Sequence, residues 1–286
     1  YYASRGLGDV YKRQVIGDAL GVPYEFRKRG SFLCQDMIGY GTHEQSAGTW
    51  SDDTAMILAT LRSLKKNKNK IVLEDIRENF LRWLNDGDFS ADGKIFDVGH
   101  ATLKALATGI PRSGEYDNGN GSLMRILPLA FVDCTDEEIK AVSAITHGHW
   151  ISQEACVIYV HVIRRLLTGE TMDGIIPTLQ YVRPFDRLCK INTLPEEQIK
   201  SSGFVVDTLE AALWSVNQTV EAGKNGGKKE NAFASSVLRA INLGEDTDTI
   251  GAVAGGLAGV MFGLGNQGKR WLNMLRNKEL ILDCLW

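Results

Sequence analysis

Apolar residues recur along this chain with the 3.6-residue period of helices rather than the alternation of strands. Ile57, Leu61 and Leu64 share one face behind Ser51-Asp52-Asp53-Thr54, and Leu73, Ile76, Phe80 and Trp83 share another. Cys156, Val160, Ile163 and Leu167 line a third face, and Val206, Leu209, Leu213 and Val216 a fourth. Thr135 and Glu138 have the spacing of a capping box that opens a helix through Ile139 and Val142. Pro195, ahead of Glu196 and Glu197, reads as a first helical turn. No series of alternating or β-branched runs stands between turn signals, so the pattern predicts an all-α protein. Lys65 to Lys70 and Gly223 to Lys229 read as solvated turns. No long linker divides the chain and no repeat of roughly 20–50 residues recurs. The expectation is a single compact bundle of about ten to twelve helices.

Three stretches lack an apolar period: Arg27 to Trp50, Asp86 to Phe96, and Pro111 to Ser122. Long loops in a compact domain tend to carry function. Composition adds little: the chain has 286 residues, 44% hydrophobic and 23% charged, as in ordinary soluble enzymes. A formal charge of −3 gives no electrostatic reason to bind nucleic acid or a membrane surface. The longest apolar run, Ile250 to Leu264, is Gly-rich and shorter than the roughly 18–20 residues that span a bilayer. Five scattered cysteines without a C-x-x-C motif read as free thiols in a reducing cytoplasm. Tyr1 to Gln14 looks foreign, because Asp9-Val10-Tyr11-Lys12-Arg13-Gln14 resembles the translation of a transposase adapter and the segment lacks signal-peptide regions. The domain is therefore taken as 15–286, with its natural N-terminus lost before Val15. A genuine, irregular N-terminal arm is the competing reading.

The chemistry concentrates at two acidic segments. Glu245-Asp246-Thr247-Asp248-Thr249 runs into a segment where Gly251, Gly255, Gly259 and Gly263 recur every fourth residue. On a helix these form one stripe where another backbone can approach. Each costs roughly 1 kcal/mol against Ala, so the stripe asks for a packing reason. Ser51-Asp52-Asp53-Thr54 likewise places carboxylates and hydroxyls ahead of a helical face. Either segment alone is ordinary N-capping. Together, four carboxylates and several hydroxyls match the oxygen ligands of hard cations such as Mg²⁺ or Mn²⁺, and four charges balance two divalent ions. Zinc fits poorly, since His147 and His149 would diverge on a helix.

Asp117-Asn118-Gly119-Asn120-Gly121-Ser122, leading into Leu123-Met124-Arg125, exposes backbone N–H groups as an anion site would, or forms a bland surface turn. It is neither a Walker nor a Rossmann loop. Gly21 and Pro23 end a short helix, after which Glu25 lies beside aromatics as a candidate acid or base, or as a surface carboxylate. Asp18 is equally suited to a structural hydrogen bond. Asp97 and His100 either cap a helix or face a cleft, and the cap is preferred.

In this order, Gly17-Asp18-Ala19-Leu20-Gly21-Val22-Pro23-Tyr24-Glu25, Thr49 to Thr54, Gly119 to Arg125, Thr146-His147 and Gly244 to Gly251 resemble the ADP-ribosylglycohydrolase family of the dinitrogenase-reductase-activating type. The resemblance covers Val15 to about Gly265 and implies an orthogonal all-α fold around two divalent cations, Mg²⁺ or Mn²⁺. It implies hydrolysis of the N- or O-glycosidic bond between ADP-ribose and a protein side chain. Ser51, Asp52, Asp53, Asp246, Asp248 and Thr249 are the metal ligands it implies, with Glu25, Asp53 and Asp248 in the catalytic step. Asn118, Gly119, Asn120, Gly121, Ser122, Met124 and His147 are the implied ligand contacts. The implied partner is an ADP-ribosylated protein or an ADP-ribose derivative; composition adds a cytoplasmic location with no nucleic acid or membrane, and the sequence does not fix the oligomeric state, a monomer being favoured. Two other readings are a non-catalytic ADP-ribose-binding relative and a two-metal hydrolase of a free ADP-ribose derivative. Ser51 stands where many relatives have Thr, keeping the hydroxyl, and Glu245 stands where Gly or Asp is frequent.

Overall fold

Twelve α-helices carry the apolar period among the described residues of the computed structural model, which are 7–224, 226 and 231–285. They are α1 (Leu7–Gly21), α2 (Asp52–Lys66), α3 (Leu73–Asp86), α4 (His100–Thr108), α5 (Asp136–Ser143) and α6 (Trp150–Leu167), followed by α7 (Met172–Ile175), α8 (Val205–Lys224), α9 (Ala232–Ile241), α10 (Thr247–Met261), α11 (Gly265–Met274) and α12 (Lys278–Cys284). Residues 1–6 of the segment read as foreign, and 225 and 227–229 of the second polar turn, lie outside the described residues. The described residues form no strand, only isolated bridges such as Arg112 with His147 and Gly119 with Phe204. No helix of the described residues is long and apolar enough to cross a membrane.

The faces read from the sequence are the ones buried: Ile57, Leu61 and Leu64 of α2, Ile76, Phe80 and Trp83 of α3, and Leu209, Leu213 and Val216 of α8 join one core. The Thr135–Glu138 capping box opens α5 as its spacing requires. Pro195 differs from expectation. It precedes only one 3₁₀ turn, Glu196–Gln198, because Ile199 is extended and its carbonyl accepts from Arg29 Nη2 at 2.5 Å.

The glycine stripe sets the layout. A Cβ on Gly251 would lie 2.6 Å from the Gly17 carbonyl oxygen, and one on Gly255 2.6 Å from that of Arg13. Gly259 lies against the Arg13 side chain, whose Nη1 donates to the Gly259 carbonyl at 2.8 Å. The stripe therefore packs on α1, not on α2, and serves three glycines rather than four. Gly263 lies beyond the end of α10 in open space. Residues 7–14, set aside from the sequence, continue α1 and bury Val10 and Tyr11, while Gln14 Nε2 donates to the Met124 carbonyl at 2.6 Å.

Asp36 pins the long loop before α2 to α11. Its carboxylate accepts from Trp271 Nε1 (2.6 Å), Arg270 Nη2 (2.6 Å) and the Met37 N–H (2.8 Å). Burial opposes ionisation, but these donors outweigh it and hold the carboxyl below its ordinary 3.8. A lowered folded-state value means that stability is present above the unfolded value and lost as the pH falls through the folded one. Asp36→Asn is expected to flatten the acid side of a melting-temperature profile below about pH 4. An unchanged acid limb in that variant would show that the loop is held by other contacts.

Candidate metal centre

Three helices deliver the acidic residues. Ser51 caps α2, its Oγ accepting from the Asp53 N–H at 3.3 Å, which leaves Asp52 and Asp53 in the first turn. Asp18 of α1 crosses that terminus, accepting from the backbone N–H groups of Ser51 (3.0 Å) and Thr54 (3.1 Å) and from the Thr54 hydroxyl. These bonds suit an anion at a helix N-terminus. α10 enters from the same side. Gly21 lies against the Asp248 backbone, and Thr247 Oγ1 donates to the Gly21 carbonyl at 2.8 Å. Asp246 stands at the N-cap of α10 yet makes no capping bond. Capping therefore accounts for Ser51 but not for Asp246.

The two acidic segments meet at Asp53, whose Oδ2 accepts from Ser51 Oγ (3.1 Å) and Thr249 Oγ1 (3.2 Å). Carboxylate oxygens of Asp18, Asp53 and Asp248 lie within 4.8 Å of one another. Ligand atoms of Glu25, His43, Asp97 and Asp248 do the same, so Asp248 belongs to both groups. Glu25 Oε2 bonds His43 Nε2 directly. Asp52, Asp246 and Thr249 line the cleft beside them, a cavity of about 480 Å³.

The donor set suits a cation. Asp53 Oδ1, Asp246 Oδ1 and Asp248 Oδ2 are buried without any hydrogen-bond partner, which is costly unless a positive charge meets them. Burial first, then the neighbouring carboxylates, push Asp52, Asp53 and Asp248 well above the usual carboxylate range. Burial raises Glu25 to about 7, against the opposing His43 bond, and that bond raises His43 in turn.

The Gly-rich loop enters the same cleft. Asn120 Nδ2 donates to Asp246 Oδ2 and Thr208 Oγ1, both at 2.8 Å. Gly119, Gly121, Met124 and His147 also line the cavity. A Cβ on Gly121 would meet His147 Cε1 at 2.9 Å, so the absent side chain lets the imidazole close on the loop. Asn118 and Ser122 lie outside the lining. The Asn118 amide donates to the Glu115 carbonyl (2.7 Å) and accepts from Ser152 Oγ (3.2 Å), whereas Ser122 is fully buried beside Cys156. Arg125, buried with its guanidinium 4.5 Å over Phe80, braces the loop through Gly121 O (3.2 Å) and Thr146 Oγ1 (2.8 Å). Burial, and then Arg125, lower His147 to about 3, which keeps it neutral.

Two residues gain roles that periodicity did not reveal. His43 sits in the long loop before α2, whose lack of an apolar period was the only signal. Asp97 does not cap α4: Gly99 holds that position without a side-chain bond, and Asp97, at φ 51°, turns towards Glu25 and His43. His100 faces the cleft as well. Glu245 is exposed, and its carboxylate belongs to neither ligand group. A larger cavity of about 690 Å³, where α6, α8 and α10 end, is lined by Glu170 and Asp173, which pair with Arg165 and Lys224.

A family model described as ADP-ribosylglycohydrolase matches residues 14–285. The chain is 32% identical over 273 residues to the ADP-ribosylarginine hydrolase Tri1 of Pseudomonas putida (strain GB-1), covering 90% of this chain and 70% of that protein. It is 30% identical over 295 residues to the ADP-ribosyl-dinitrogen reductase glycohydrolase of Rhodospirillum rubrum, covering 96% and 91%. A solved structure described as an ADP-ribosylglycohydrolase-related protein complex superposes with a TM-score of 0.76 at 27% identity, over 97% of this chain and 94% of that one.

Proposed function

Because the chain belongs to the ADP-ribosylglycohydrolase family, we propose that it hydrolyses the bond between ADP-ribose and a protein side chain, using two divalent cations, Mg²⁺ or Mn²⁺. The observation that carries this reading is the set of buried, orphaned oxygens on Asp53, Asp246 and Asp248 at two helix N-termini, with Asp246 lining the cleft beside them. Asp53, Asp248 and Asp52, with Asp246, Ser51 and Thr249 around them, would hold the cations. When bound, such ions neutralise developing charge and lower the pKa of water.

The protein's own groups do the rest. The Gly119 and Gly121 N–H groups would suit the diphosphate, as glycine-rich turns ahead of helical turns suit anions generally, whereas the Asn120 N–H donates to the Gly203 carbonyl at 3.0 Å. His147, kept neutral by burial, supplies a hydrogen bond without adding charge. Asn120, tied to Asp246, links the position of that loop to the acidic centre. Binding energy from this remote part of the substrate would orient the anomeric carbon. Glu25 and His43 are hydrogen-bonded at the edge of the centre, where a carboxyl raised to about 7 can give or take a proton near neutral pH. In the balanced reaction the water oxygen ends on the anomeric carbon. One water proton ends on the nitrogen or oxygen of the released side chain.

Free ADP-ribose is expected to be released from an arginine-linked ADP-ribosyl peptide in Mg²⁺ or Mn²⁺, and EDTA is expected to suppress release at least about a hundredfold. Arginine is the first linkage to assay because a relative at 32% identity is named for it. Release that EDTA leaves unchanged would overturn the metal-dependent reading. Tight ADP-ribose binding without release from any linkage would instead indicate a binding protein.

A further inference from the structure

Phe26 is the residue after Glu25, and it is 65% exposed at the cleft that both line. Its φ is 64°, a conformation that bulky side chains rarely adopt and that persists only where the surroundings impose it. They do impose it. The Phe26 N–H donates to the Glu245 carbonyl at 2.6 Å, and the Glu245 N–H donates back to the Arg27 carbonyl at 2.8 Å. Glu245 is itself at φ 61°. The two strained residues thus fasten the loop carrying Glu25 to the loop carrying Asp246.

This clasp displays an apolar ring where burial would be the ordinary outcome. The ring centroid is 5.9 Å from that of His43, which bonds Glu25, and His43 is 5.2 Å from Phe96. Glu25 and Asp97 place two carboxylates beside His43, and line the same cleft as Phe26. The neighbouring Arg27 guanidinium lies over Phe32 instead, at 5.8 Å. An exposed aromatic face next to carboxylates favours a flat cation, through attraction to the ring face and to the anionic surroundings.

We infer that Phe26 is a specificity-determining residue, whose ring receives the planar guanidinium of the modified side chain while the Gly119–Gly121 loop holds the ADP-ribose. This rests on the hydrolase reading above. It assigns Phe26 to the leaving side chain and not to the nucleotide.

Two measurements on Phe26→Ala and Phe26→Trp decide it, both in Mg²⁺. The first is kcat/KM for release of ADP-ribose from an arginine-linked ADP-ribosyl peptide, and the second is the calorimetric Kd for free ADP-ribose. Phe26→Ala is expected to lower kcat/KM about tenfold, the order of a lost cation–ring contact, while Kd moves less than about twofold. Phe26→Trp is expected to stay within about threefold of the wild type, because its ring face is at least as favourable to a cation. An unchanged kcat/KM in Phe26→Ala would overturn the inference. A Kd weakened by the same factor would also overturn it, by placing Phe26 on the nucleotide side. Wild-type protein that cleaves a serine-linked peptide but not the arginine-linked one would overturn it while leaving the hydrolase reading intact. Release from neither would overturn the hydrolase reading itself.

Discussion

Asp248→Asn is expected to lower ADP-ribose release by about a thousandfold or more while raising the melting temperature of the metal-free protein. Asp248 is the carboxylate common to both ligand groups, so its loss would weaken two cation positions together. A thousandfold corresponds to roughly 4 kcal/mol of transition-state stabilisation, within what a bound cation supplies to developing charge. The stability change has the opposite sign for an electrostatic reason. Burial and the charges of Glu25, Asp53 and Asp246 all oppose ionisation of Asp248. Replacing a carboxyl that on folding must either stay charged among its neighbours or take up a proton removes that cost when no cation is present. Cations reverse the order, because a ligand at about a hundred times its Kd stabilises the folded state by about 2.7 kcal/mol. Wild-type protein should therefore gain melting temperature on adding Mg²⁺ or Mn²⁺, and Asp248→Asn should gain far less. An equal gain in both proteins would place the cation elsewhere.

Gly251→Ala is expected to destabilise the protein by about 2 kcal/mol, lowering the melting temperature by about 3–4 °C at this chain length. Helix propensity alone predicts the reverse, since Ala is favoured over Gly by roughly 1 kcal/mol inside a helix. The contact with α1 decides the sign. The added Cβ would lie 2.6 Å from the Gly17 carbonyl oxygen and 3.1 Å from Ile241 Cγ1, and the nearer atom is backbone that cannot swing aside. Overpacking of this kind costs about 1–3 kcal/mol and sometimes more. Separating α10 from α1 would also disturb the centre, because Asp248 precedes Gly251 by less than one turn and Asp18 directly follows Gly17. Weaker cation binding should therefore accompany the lower melting temperature. Gly263→Ala, in open space beyond α10, is the control and should stay within about 0.5 kcal/mol. A Gly251→Ala protein as stable as the wild type would mean that the two helices can part without cost.

Much of the fold was legible because helical periodicity is a local property. The faces of α2, α3 and α8 can be read from spacing alone, and the Thr135–Glu138 box depends only on residues three apart. The acidic helix starts were legible in the same way, as residue types beside a periodic segment. Where local rules favour two outcomes, spacing could not choose. Asp97 had the composition of a cap, but a backbone at φ 51° turns it into the cleft instead. Glycine spacing announced a close approach without saying to what, and the partner proved to be α1.

By itself, then, the sequence determined an all-α chain, two carboxylate-bearing helix starts and a glycine-rich loop with the order of motifs of one family. Only the tertiary structure decided which of these meet. It brought Asp18, Asp53 and Asp248 within 4.8 Å of one another, added His43 and Asp97 to Glu25, and left Asn118, Ser122 and the Glu245 carboxylate outside the centre. The physical reason is that side-chain periodicity and capping are set by neighbours within a turn or two. The meeting of three helix ends is set instead by which backbones can approach, and here that is governed by Gly17, Gly21 and Gly251 on the facing surfaces of α1 and α10.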